Sequence, residues 1–256
     1  MKCAFMDDDA KACYDRIVPS LALIESRKWG VTRPTTQLTK TILHNQKFYV
    51  RTGHGISEAF YSYCKERKIF GAGQGLGLSG PLWINTSDTI SQVMNDKCGG
   101  MKFCSFDGRI IVVKKGDFFI NDTATGVTEN CVRNGNTVLM QLKNDEQLHA
   151  FLLFAAGHRL ALHKCSFYLV EFTRDKLSYR CLNMNELPGS LDLQEGFGLA
   201  HKTVPRLDSS TAHKTLGHML AVTGDDEAQR QLVQKVIKDW VQSIETSTLT
   251  GPDRLL

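Results

Sequence analysis

Residues 3–17, CAFMDDDAKACYDRI, decide how the chain is read. A short apolar run ends in Asp7, Asp8 and Asp9, with Asp15 behind them. A second apolar run, in GDFFINDTATGV, ends at Asn121 and Asp122 more than a hundred residues later. Each run predicts a strand that terminates in acidic or amide side chains. Two such strands laid side by side would gather carboxylates into a site for paired divalent cations. Taken alone, Asp7 to Asp9 fit the N-cap and acidic first turn of a helix better than a metal site.

Working outward, the strand over residues 1–9 is followed by a helical pattern from Ala12 to about Lys28, with Pro19 predicted to kink or split it. A helix from about Thr32 to Gln46, with Pro34 in its first turn, precedes a short strand in KFYVRTG. Residues 71–80 are glycine-rich and predict a loop, and PLWINTSDTISQVMND a helix with Pro81 in its first turn. RIIVV and DFFIND read as strands joined through Lys114-Lys115-Gly116. Residues 144–160 read as a helix with one buried face, SFYLVEF as a strand, and residues 184–212 as the least regular stretch. Ala228, Leu232, Val236, Trp240 and Ile244 recur every four residues behind Asp225-Asp226-Glu227, predicting an amphipathic helix with Trp240 in its core face.

Composition narrows the classes. With 256 residues, 42% hydrophobic and 23% charged, the chain can bury a sizeable core, and wholesale disorder is excluded. The formal charge of +4 suits a phosphate-rich partner without requiring one. Eight scattered cysteines without a CxxC pair fit a reducing compartment. No secretory leader and no membrane-length apolar run are visible, so the expected location is intracellular, nuclear or cytoplasmic, with no membrane contact.

The segments DDDAKACYDRI, GAGQGLGLSGPLW, FFINDT, GHRLALHKCSFYL and HKTLGHML follow one another in the order of the palm motifs of reverse transcriptases. The resemblance is to those of non-LTR-type retrotransposons and related eukaryotic elements, and it spans about residues 1–220. It implies an α/β (α+β) fold: a right-hand polymerase palm, with an antiparallel sheet backed by helices, and a partial helical thumb. The expected division is a palm over residues 1–190 and a palm–thumb connection with the start of the thumb over residues 191–256. Because the chain opens at the first acidic motif, the fingers of relatives are expected to be missing, as in a fragment of a larger element-encoded protein.

The implied activity is RNA-directed DNA polymerisation. Deoxynucleoside triphosphates would be added to a DNA primer on an RNA template, with Mg²⁺ or Mn²⁺ as cofactor. By the same resemblance Asp9 and Asp122 are metal ligands and catalytic, and Tyr14 screens the sugar against a 2′-hydroxyl. Gln74 and Gly75 lie against the nucleotide, Lys164 protonates the departing pyrophosphate, and Leu216 and Gly217 grip the primer. Lys164 is read as readily as a solvated surface charge.

Asn121 occupies the degenerate metal position, since relatives carry two aspartates there. An amide oxygen can coordinate a hard cation but supplies no charge, so catalysis is expected to be impaired. Asn121-Asp122 also suits a plain turn between strands. The alternative expectation is therefore an inactive palm serving as a nucleic-acid-binding or interaction module. Two further patterns are set aside. Gly75, Gly77 and Gly80 spell GxGxxG, but KERKIF before them makes a poor buried strand. His158, His163 and Cys165 lack a second ligand pair for zinc.

Overall fold

The computed structural model describes residues 2–11, 13–63, 71–73, 76–119, 122–175, 178–215 and 218–246. The chain runs β1 (Lys2–Asp9), a 3₁₀ turn (Tyr14–Arg16), α1 (Pro19–Lys28), α2 (Arg33–His44), β2 (Lys47–Thr52), β3 (Gly55–Ser62) and α3 (Ser79–Lys97). There follow β4 (Met101–Cys104), β5 (Ile111–Lys114), β6 (Gly116–Phe119), β7 (Asp122–Thr128), a 3₁₀ turn (Glu129–Cys131) and α4 (Val138–Ala155). The chain continues through β8 (Ser166–Asp175), β9 (Ser178–Cys181), β10 (Leu191–Gln194), β11 (His201–Val204), β12 (His213–Thr215), β13 (His218–Leu220) and α5 (Glu227–Thr246). Helices and antiparallel sheets are mixed, an α+β arrangement.

The chain divides into two compact units. The first holds residues 1–167 and 189–206, the second residues 168–188 and 207–256. In the first unit β6, β7 and β1 form neighbouring strands, antiparallel throughout. Strand alternation fixes what each face carries. Ala4, Met6 and Asp8 on β1 are buried, as are Thr123, Thr125 and Val127 opposite them on β7. Helix α4 packs on that face with Leu142, Ala150 and Leu153 buried, each fully buried leucine contributing about 1.5–3 kcal/mol. Asp7 and Asp9 point to the other face, half-buried.

Several local elements depart from the sequence pattern. Pro19 opens α1 at its first turn and does not kink a longer helix. Its missing N–H costs nothing there, because the first-turn donors have no helical partner anyway. Residues 14–16 make only a 3₁₀ turn. Helix α4 starts at Val138, not residue 144, and Thr137 caps it by accepting a hydrogen bond from the Met140 N–H at 3.2 Å. Asn144-Asp145-Glu146 resembles an acidic helix start, yet these residues sit in mid-helix, with Asp145 and Glu146 buried. β5 pairs with β4 and β6 with β7, so RIIVV and DFFIND belong to two different hairpins.

In the second unit β8 and β9 form a hairpin. The Tyr168 hydroxyl donates to the Thr211 carbonyl at 3.1 Å, and the Met219 N–H donates to Gln229 Oε1 of α5 at 2.7 Å. Helix α5 has the expected span, but none of its residues is buried and Trp240 is 65% exposed. Trp240 as a core residue is therefore incorrect for this chain. A four-residue apolar repeat specifies a stripe, and only a packed neighbour turns a stripe into core.

Candidate functional site

The two acidic runs meet. β1 and β7 are antiparallel with Asp9 directly opposite Asp122, and Asp8 opposite Thr123. Directly opposed residues share one face of a sheet with Cβ atoms about 5 Å apart, so Asp9 and Asp122 present their carboxylates together at the end of the strand pair. Burial, and next the charge of Asp9, push the Asp122 carboxyl above its usual range, against the opposing pull of Lys164. Such a pair attracts a cation, because a bound positive charge offsets the carboxylates that the strand pairing sets together.

Residues far along the chain complete the surroundings. The Ala161 N–H donates to the Asp9 carbonyl and the Lys11 N–H to the Arg159 carbonyl, both at 2.8 Å, with Ala10 bridged to Leu160. That pairing carries residues 159–164 alongside the end of β1, and Lys164 Nζ reaches Asp9 Oδ2 at 2.7 Å. Its hydrogen bond and ion pair with Asp9 raise the Lys164 pKa. Gly157 permits this return. It has φ +92°, and a Cβ there would lie 2.5 Å from Val18 Cγ2.

Tyr14 is half-buried in the 3₁₀ turn, and its carbonyl accepts from the Ala72 N–H at 2.9 Å. The Gly71 N–H donates to the Ile17 carbonyl at 2.8 Å. The glycine-rich loop thus begins against the turn that carries Tyr14. Ser79, the first residue of α3, ties the loop back by donating to the carbonyls of Gly73 at 2.6 Å and Ala72 at 3.0 Å. Gln74, Gly75, Asn121, Leu216 and Gly217 lie outside the described residues. The structure therefore brings together Asp9, Asp122 and Lys164, and sets Tyr14 beside the start of the glycine-rich loop.

A second constellation lies on the opposite face of β1. Asp8, Glu146 and His149 are all buried, each contributing one ligand atom within 4.8 Å of the others, and could hold a metal ion. His149 Nδ1 is 2.9 Å from Asp8 Oδ2 and 3.9 Å from Glu146 Oε2. The Thr125 hydroxyl donates to Glu146 Oε1. Asp8 Oδ1 and Glu146 Oε2 have no hydrogen-bond partner among the described residues.

Burial disfavours a charged imidazole, but the Asp8 carboxylate and then Glu146 outweigh it and push His149 up to about 10. Burial, with Asp8 beside it, pushes Glu146 well above the usual carboxylate range. Sequence reasoning missed this group because residues 144–146 look like an exposed helix start. The available signal was the Glu146-x-x-His149 spacing, which sets both side chains on one helix face.

His158 is buried edge-on against Trp83, with ring centroids 4.8 Å apart. Burial, and next the charge of Arg16, lower its pKa to about 4. It is a neutral core imidazole.

Neither protein-family models nor curated proteins give a match to this chain. Among the described residues no helix is long and apolar enough to cross a membrane.

Proposed function

We propose that the first unit is a palm of reverse-transcriptase type, whose ancestral activity is nucleotidyl transfer from a deoxynucleoside triphosphate to a primer 3′-hydroxyl. The observation that carries this reading is the register of β1 on β7. It sets Asp9 directly against Asp122 and, with Lys164 at 2.7 Å from Asp9, gathers three of the motif residues at one strand end. Mixed helices and antiparallel strands agree with a palm at the level of architecture.

The donor set at that strand end suits a hard divalent cation, since two carboxylates share a face and the Asp122 carboxyl is raised by burial and by its neighbour's charge. Asp9 and Asp122 would hold Mg²⁺ or Mn²⁺. When bound, such an ion neutralises triphosphate charge and increases the nucleophilicity of the 3′-hydroxyl. In this reading Lys164, 60% exposed and 2.7 Å from Asp9, would give a proton to the leaving pyrophosphate. Tyr14 stands where the glycine-rich loop begins, and in this reading its ring lies under the incoming sugar. Phe60, Tyr49 and Tyr61 are exposed on the β2–β3 hairpin, and Lys47 Nζ lies 4.5 Å from the centre of the Phe60 ring. Aromatic and basic side chains together suit stacking on a single-stranded template.

One observation favours a second reading, an inactive palm kept for nucleic-acid binding. The Lys164 ammonium already neutralises Asp9, and the sequence supplies Asn121 where a further carboxylate would offset a second cation. Primer extension on an RNA template with Mg²⁺ or Mn²⁺ separates the two. The polymerase reading expects incorporation by the native chain, lost on Asp122→Asn and raised on Asn121→Asp. Template-primer binding without incorporation by either the native chain or the Asn121→Asp variant leaves the inactive palm. Incorporation that survives Asp9→Asn and Asp122→Asn overturns the placement of the site.

A further inference from the structure

We infer that Asp8, Glu146 and His149 form a structural site for one zinc-type divalent transition-metal ion, separate from the Asp9–Asp122 pair and independent of polymerase activity. Strand alternation makes the separation physical: Asp8 faces α4 while Asp9 faces away from it. Asp8 enters from β1, and Glu146 and His149 from one face of α4. Their side chains are 1%, 0% and 4% exposed.

Two carboxylate oxygens, Asp8 Oδ1 and Glu146 Oε2, are buried without a hydrogen-bond partner among the described residues. A buried carboxylate oxygen without a hydrogen bond is strongly unfavourable, and a fold retains such a group where something satisfies it. Charge counting names what does. Two carboxylates and a neutral imidazole carry two negative charges, which one divalent cation cancels. Without a cation the same neutrality requires two bound protons, one on His149 and one on a carboxylate.

The donor chemistry narrows the ion. One imidazole nitrogen with two carboxylate oxygens suits zinc and its first-row neighbours, whereas Mg²⁺ and Ca²⁺ prefer oxygen alone. The other carboxylate oxygen of Glu146 is held by Thr125 of β7. An outer hydrogen bond of this kind orients a metal ligand and fixes its rotamer. The ion would thus join β1 to α4 directly and β7 through Thr125.

The test loads the full chain with ZnSO₄, dialyses it against zinc-free buffer containing excess Mg²⁺, and measures retained zinc by mass spectrometry. One equivalent is expected to remain in the native chain and in Asp9→Asn/Asp122→Asn, and to be lost in Glu146→Gln and His149→Gln. Because the last two variants remove buried groups and can fail to fold, native protein loaded with Co²⁺ or Zn²⁺ gives an independent readout. Visible d–d bands are expected with Co²⁺, and X-ray absorption should show one imidazole among oxygen ligands. No retained zinc in the native chain, a retained ion without imidazole, or zinc lost only on Asp9→Asn/Asp122→Asn overturns the inference. Primer extension is not read in this assay, so its outcome and that of the palm reading are distinguishable.

Discussion

Removing the partner of His149 tests the energetics of the buried group directly. In the metal-free protein His149 is fully enclosed, with Nδ1 2.9 Å from Asp8 Oδ2. Burial opposes its charge, but Asp8 and Glu146 more than compensate, so its pKa stands at about 10 against an ordinary 6.5. Since the folded value is raised, the folded state holds this proton more tightly than the unfolded chain. The resulting stabilisation is fully present below pH 6.5 and is lost as pH rises to about 10. At about 1.4 kcal/mol per pH unit, that interval amounts to roughly 5 kcal/mol. Glu146 is also raised, by burial and by Asp8, and loses its proton-linked stabilisation in the same direction as pH rises.

The perturbation is Asp8→Asn, which keeps shape and removes the charge. The assay is urea unfolding between pH 6 and 10 with EDTA present, so that protons alone are read. The native chain should lose several kcal/mol across this range. The variant should be less stable at pH 6 by about 3–5 kcal/mol, the usual cost of breaking a buried ion pair, and should show a much flatter profile. Parallel profiles for the two proteins, or a difference at pH 6 below about 1 kcal/mol, would refute the reasoning.

Lys164→Ala should leave stability within about 1 kcal/mol, because the lysine is largely exposed. It should also raise Mn²⁺ affinity severalfold by taking a positive charge away from Asp9 and Asp122, and weaker Mn²⁺ binding by electron paramagnetic resonance titration would contradict the placement. Gly157→Ala should cost at least about 1–3 kcal/mol, since φ is +92° and the new Cβ would meet Val18 at 2.5 Å; an unchanged melting temperature would show that the turn yields. His158 should stay neutral down to about pH 4 because it is buried and lies near Arg16, and an NMR titration midpoint near 6.5 would contradict that environment.

Legibility differed sharply between the two acidic groups. The Asp9 half was readable because a strand ending in acids leaves a local signature, and because Asp122 closes a second apolar run in the same way. Their opposition, the return of residues 159–164 and the contact of Lys164 with Asp9 depend on register and on a left-handed glycine, which no local pattern encodes. Glu146 and His149 were hidden by a competing rule. Acids near the start of an apolar helical pattern ordinarily cap an exposed first turn, but six earlier residues, Val138 to Lys143, already belong to α4 and carry those acids into the interior.

By itself the sequence determined β1, β2, β5, β6 and β8, the spans of α2, α3 and α5, and the motif order, because those rest on side-chain period and backbone chemistry within a few residues; β10 and β11 lie in the stretch that reads as irregular. Tertiary structure alone decided that Asp8 and Asp9, adjacent in the chain, have different surroundings. A strand turns successive side chains to opposite faces, and only the packing of α4 on one of them makes Asp8 buried and leaves Asp9 half-exposed beside Asp122 and Lys164.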